Sequence, residues 1–195
     1  MKFKLTSNKK EYLGITLYQI KAASDFGNVE KGYLGGWIEK EDNLSQDGDA
    51  WVSGAALVSG DARVYGDARV SGNARVSGNA RVSGDARVSG DAWVSGDARV
   101  SGDARVYGDA RVSGAALVSG DAWVSGNALV YGKLKLLSGF FFGIRYKKEE
   151  IKYVNVDDDT ELIYNGDAKF GESEECEKSD GVIELNGKKY KLIEE

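Results

Sequence analysis

The sequence predicts an all-β fold: a single-stranded parallel β-helix of about four to five triangular coils, with a small β cap at each end. Three observations predict it. From Gly48 to Tyr131, fourteen consecutive hexapeptides read close to Gly-Asp-Ala-Arg-Val-Ser without a slip, and a period this strict marks units stacked on near-identical neighbours. Within each unit Ala and Val alternate with Arg and Ser, a period of two that suits a strand and excludes a helix. Glycine opens every unit, where the chain has to turn and a positive φ has to be tolerated. At three hexapeptides to a coil, the fourteen supply about four and two-thirds coils.

In chain order, residues 1–47 form the expected N-terminal cap. Lys2 to Leu5 and Leu17 to Ala22 alternate polar and apolar and read as short strands, while Gly27-Asn28 and Gly35-Gly36 mark turns. Trp37-Ile38 adds apolar bulk just before the repeats. An uncovered first coil would expose core side chains and unpaired strand edges. Residues 48–132 are the β-helix, its core made of fourteen alanines and fourteen valines, with arginine and serine outward. Valine suits a pleated, buried surface. The absence of proline spares the ladders a lost donor. Residues 133–195 form a separate small β module: Phe140–Phe142 are expected to pack on the last coil, and 151–156 and 160–164 read as strands. Asn186-Gly187 between two alternating runs is a hairpin signal.

Composition excludes several classes. The net charge of −5 offers no basic field for duplex nucleic acid. No stretch has the ~20 apolar residues of a membrane helix, and Met-Lys-Phe-Lys-Leu has no signal core. The single cysteine, Cys176, lies in an acidic run that disfavours its thiolate, and it fits a cytoplasmic protein.

Positions eighteen apart stack into outer columns. One column reads Trp51, Arg69, Arg87, Arg105, Trp123; a second Leu57, Arg75, Trp93, Arg111, Leu129; a third Arg63, Arg81, Arg99, Leu117. Tyr65, Tyr107 and Tyr131 replace serines at outward positions. A corner column is all aspartate: Asp49, Asp67, Asp85, Asp103, Asp121. Stacked at a ~4.8 Å rung spacing, such carboxylates repel by about 0.9 kcal/mol per pair in water. Arginines two residues on are expected to neutralise them in a salt-bridge lattice, and no metal site is expected. The remaining outward departures, Trp51, Leu57, Trp93, Leu117, Trp123, Leu129 and the three tyrosines, together with Arg69, Arg75, Arg87, Arg105 and Arg111, are the contact-face candidates. Aromatic residues mixed with arginine compose both protein-binding hot spots and base-stacking platforms.

The alanine-then-valine spacing resembles the hexapeptide-repeat left-handed β-helix superfamily. Gly-Asn-Ala-Arg-Val and Gly-Asp-Ala-Arg-Val runs after Leu34 to Glu39 resemble, more narrowly, bacterial and bacteriophage proteins that carry transferase-like or polymer-forming labels. Left-handedness is implied by that resemblance alone, since parallel crossovers are generally right-handed. The resemblance also implies acyltransferase activity resting on a histidine base. This sequence has no histidine, which removes the usual neutral-pH base and the usual zinc ligand. The expectation is therefore a non-catalytic scaffold without cofactors, acting through a homo-oligomer or another protein partner. Two alternatives stand beside it: a phage protein sequestering a nucleotide-like ligand or a host factor in the host cytoplasm, and an acyltransferase-like enzyme without the usual histidine.

Overall fold

The structure, a computed structural model, describes residues 1–143 and the backbone of strands Val182–Leu185 and Lys188–Lys191. The chain winds into a parallel β-solenoid of about six turns, six strands deep on its longest wholly parallel face. Residues eighteen apart pair rung on rung: Arg87 lies between Arg69 and Arg105, and Val88 between Val70 and Val106. The three outer columns are the three sheets, here called the Trp93, Trp123 and Arg81 faces. Every valine of the hexapeptides is buried, and so is every alanine two residues after a repeat glycine, from Ala50 to Ala128.

The hexapeptide forms this coil for local reasons. Serine and alanine close a turn, as where the Ala86 amide donates to the Ser83 carbonyl at 3.4 Å. Gly84 sits second in that turn with φ 64°, and Asp85 after it keeps a negative φ. That sequence of signs is a type II′ turn, which calls for glycine at its first central position. Between rungs, amides run in register: Arg87 to the Ala104 carbonyl and Ser89 to the Val106 carbonyl, both at 2.9 Å.

The ladder exceeds the four and two-thirds coils of the hexapeptides because residues outside the repeat join it. Trp37-Ile38 pairs in parallel with Leu57-Val58, and Leu44 bridges Val64. At the far end Leu136 pairs with Val118, and Phe140–Gly143 with Trp123–Gly126. A rung needs extended backbone and an inward apolar side chain, not the repeat's own letters. Gly35-Gly36, expected as a turn, lies within strand β3 (Leu34–Ile38). A Cβ on Gly35 would come within 2.6 Å of Trp51 Cζ2, and one on Gly36 within 2.8 Å of Val52 Cγ1. These glycines permit close approach rather than chain reversal.

Strands β1 (Phe3–Tyr12) and β2 (Ile15–Ala22) form an antiparallel hairpin that joins the Trp93 face through β3. The expected tight turn at Gly27-Asn28 is present, closed by Phe26 and Val29. At the first coil, side chains stand in for the missing rung. The Lys2 ammonium donates to the carbonyls of Ala50 (2.9 Å), Gly48 (3.2 Å) and Asp47 (3.4 Å). Asn43 Nδ2 donates to those of Ala62 (2.9 Å) and Gly60 (3.0 Å). Buried backbone carbonyls need such partners. Burial pulls the Lys2 pKa below the usual lysine range, against the opposing pull of Asp49, Asp47 and Asp67. Replacing Lys2 by Met orphans these carbonyls, and Lys2→Met is expected to cost about 2–4 kcal/mol. Thermal unfolding should show a Tm lower by roughly 5–10 °C; an unchanged Tm would mean that water serves the carbonyls equally well.

At the other end only one of the three expected phenylalanines packs inward. Phe141 rests against the core, while Phe140 and Phe142 alternate outward and stay about half exposed. Val182–Leu185 and Lys188–Lys191 pair antiparallel with Leu185 opposite Lys188, the register that a two-residue connection gives. The expected strands at 151–156 and 160–164, and Cys176, lie outside the described residues.

Candidate contact face

On the Trp93 face, cations and rings alternate from rung to rung. Lys10 Nζ lies 5.8 Å from the Trp37 ring and Arg75 Cζ 5.2 Å from the Tyr12 ring. Trp93 is flanked by Arg75 at 5.8 Å and Arg111 at 5.7 Å. Its Nε1 donates to Ser77 Oγ at a long 3.5 Å. A guanidinium over an indole gains about 0.5–1 kcal/mol at an exposed site. Beyond Arg111 the face turns apolar and open, with Leu129 44% and Tyr131 51% exposed. An open groove of about 430 Å³ runs between Trp93, Ser95, Arg111, Ser113, Leu129 and Tyr131.

The Trp123 face has a smaller cluster at its far end. Arg105 Cζ stands 4.7 Å from the Trp123 ring, which meets Phe140 edge-on at 4.8 Å and Tyr107 at 6.2 Å. Near its start a polar hollow of about 280 Å³ is lined by Asp49, Asp67, Asp85, Arg69 and Arg87 with Gly27 and Asn28. Carboxylates outnumber guanidiniums there, which disfavours a phosphate. On the Arg81 face, Arg63, Arg81 and Arg99 are exposed, Leu117 is half-buried and Tyr65 stands exposed at a corner.

Two candidates fail as contact residues. Trp51 and Leu57 occupy outward positions of the coil, yet both are buried. Trp51 packs against Phe26 at a centroid distance of 5.3 Å, so the N-terminal segment covers what the bare repeat would expose. The Trp51 Nε1 is left buried without a hydrogen-bond partner.

The arginine–aspartate lattice also does not form: among the described residues no guanidinium nitrogen of a repeat arginine lies within 4 Å of an aspartate carboxylate oxygen. Aspartate belongs to the turn and arginine to the strand, and several find other partners. Asn73 donates to Asp91 at 3.0 Å and Asn79 to Asp97 at 2.9 Å, one rung on. Asparagine in a corner column thus turns carboxylate repulsion into a hydrogen bond. In the all-aspartate column the Asp49 amide donates to the Asp67 carboxylate at 2.9 Å. Asp61 pairs with Lys40 from outside the repeats at 2.7 Å. That hydrogen bond holds the Asp61 carboxyl below its usual range and the Lys40 ammonium above its own. Among the described residues no three acidic or cysteine side chains converge to hold a metal ion.

Sequence reasoning missed Tyr12, Lys10, Trp37 and Phe140 as members of these faces. They lie outside the period, and only the alternation around them hinted at strands.

The geometry defines a β-solenoid repeat protein, and a comparison with known families agrees. The model of the YdcK beta solenoid repeat matches seven overlapping segments: 56–71, 62–78, 68–83, 80–96, 92–108, 98–114 and 104–120. Together they span 56–120, about a third of the chain. No curated protein matches the chain. Among the described residues no helix is long and apolar enough to cross a membrane.

Proposed function

We propose that the solenoid is a non-catalytic scaffold that works by self-association through its Trp93 face. One observation carries this reading: the open groove where Leu129 and Tyr131 stay exposed beside Trp93. Contiguous exposed apolar surface on a soluble protein tends to mark a contact site. The lack of histidine speaks against the acid–base chemistry of hexapeptide acyltransferases. Nucleotide sequestration is disfavoured because Arg75 and Arg111 already flank the Trp93 ring where a base would have to stack.

The test is molar mass by size exclusion with light scattering, beside thermal shifts with a nucleotide panel. The wild-type chain is expected to be an oligomer with no nucleotide shift. Trp93→Ala with Leu129→Ala is expected to bring it to the monomer mass; Leu57 is left alone because it is covered. A wild-type monomer with a large shift from one nucleotide would support the sequestering reading instead.

A further inference from the structure

We infer that the tip of the β1–β2 hairpin is the plug for this groove, so that two copies pair face to face and each seats Leu13 beside Leu129 and Tyr131 of the other. The inference rests on the self-association reading and names its occupant: a second copy of this chain.

The tip is built against its own local preferences. Tyr12 pairs with Ile15, leaving a two-residue connection in which Leu13 has φ 50° and Gly14 φ 78°. Two positive φ values make a type I′ turn, whose first central position favours Asn, Asp or Gly. Leu13 is the one non-glycine residue with positive φ among the described residues. It is also 79% exposed, so the isolated chain gains almost no burial from the branched side chain it holds in an unfavourable conformation. An outlier of this kind points to a role outside the monomer's own packing.

Position and charge select the occupant. Tyr12 stands at Arg75, which puts the tip on the same face as the groove but nearer the N-terminal end. The groove spans the rungs of Trp93, Arg111 and Leu129. Consider a two-fold axis lying in the plane of the contact, perpendicular to the solenoid axis and near Trp93, the solenoids antiparallel. It brings the Arg75 rung of one copy over the Arg111 rung of the other, so both tips reach both grooves at once. The contact is isologous and closed, the commonest form of association. Exposed Glu11 next to the tip, already accepting a hydrogen bond from Thr16 Oγ1 at 2.6 Å, then meets the exposed Arg111 of the other copy. Among the described residues Arg111 has no carboxylate partner, and that pairing would give it one. A parallel arrangement would set tip on tip and leave both grooves unfilled.

The decisive variant is Leu13→Asn, which suits the turn better than leucine and so should fold. Concentration-dependent light scattering is expected to show dimer affinity weakened about tenfold or more, with Tm at monomeric concentrations unchanged or raised. Glu11→Arg and Arg111→Glu should each weaken the dimer, and the double variant should recover it. A dimer indifferent to Leu13→Asn yet broken by Trp93→Ala with Leu129→Ala would overturn the plug and leave self-association standing. A wild-type monomer at all concentrations would overturn both. A charge-swapped pair that stays monomeric would overturn the two-fold register.

Discussion

Val88→Asp is expected to abolish cooperative folding of the solenoid, whereas Ser89→Asp one residue on should leave stability within about 0.5 kcal/mol. Val88 is fully buried, stacked between Val70 below and Val106 above. The core is filled by alanine and valine side chains, which offer a carboxylate neither donor nor cation. A buried, unpaired charge belongs to the few changes that cost more than roughly 4–5 kcal/mol. In a solenoid each coil leans only on its neighbours, so a defect in a central rung divides the ladder into two short stacks. The pH dependence identifies the cause. Burial raises the folded-state pKa of the new carboxyl above its unfolded value of about 3.9. The unfolded chain then binds fewer protons between those two values, and the penalty grows as pH rises through the window. Unfolding of Val88→Asp followed by circular dichroism should therefore show partial recovery near pH 4 relative to wild type. A penalty equal at all pH values would point to shape rather than charge. Equal losses for Val88→Asp and Ser89→Asp would overturn the assignment of inside and outside.

The interior was legible in the sequence for the reason that makes this experiment clean. A narrow coil has one set of inward positions, and the rung above repeats the demand, so Ala86 and Val88 recur with the period of the backbone. The eighteen-residue register followed, and with it the three columns that became the three sheets. What was not legible depends on segments without the period. Nothing in Phe3–Tyr12 announces that its hairpin joins the Trp93 face, and nothing near Phe26 announces that its ring will cover Trp51. Burial of Trp51 and Leu57 is a tertiary outcome, whereas burial of Val88 is nearly a local one. The corner charges went astray differently. Opposite charge two residues apart suggested pairing along the chain, but in a stacked coil the nearest neighbour of Asp91 is Asn73 on the preceding rung. The groove lay half in view: Trp93 and Leu129 were candidates in one column, but its plug lies in a turn whose conformation leucine does not advertise.

Gly72→Ala should be a costly single-methyl change in the repeats, at roughly 2–4 kcal/mol. Two effects combine. Gly72 has φ 68°, and an L-residue in that region costs about 1–2 kcal/mol. The added Cβ would also lie 2.9 Å from the amide nitrogen and 3.1 Å from the carbonyl oxygen of Gly90 on the next rung. Those atoms are backbone in a stacked ladder, so neither can retreat without disturbing its own rung. The Asn73 amide also donates to the Gly90 carbonyl at 2.9 Å, and widening the stack lengthens that bond. Gly132→Ala separates the two effects: its φ is 70°, yet among the described residues no atom lies within 4 Å of the added Cβ. It should cost only the conformational part, about 1–2 kcal/mol. Denaturant unfolding of both variants measures the difference, which is the energy of spacing one corner above another. If the two cost the same, the repeat keeps glycine for its φ alone. A larger loss at Gly72 means that the corner glycines also set how closely the rungs can stack, and thereby the length of the inter-rung hydrogen bonds.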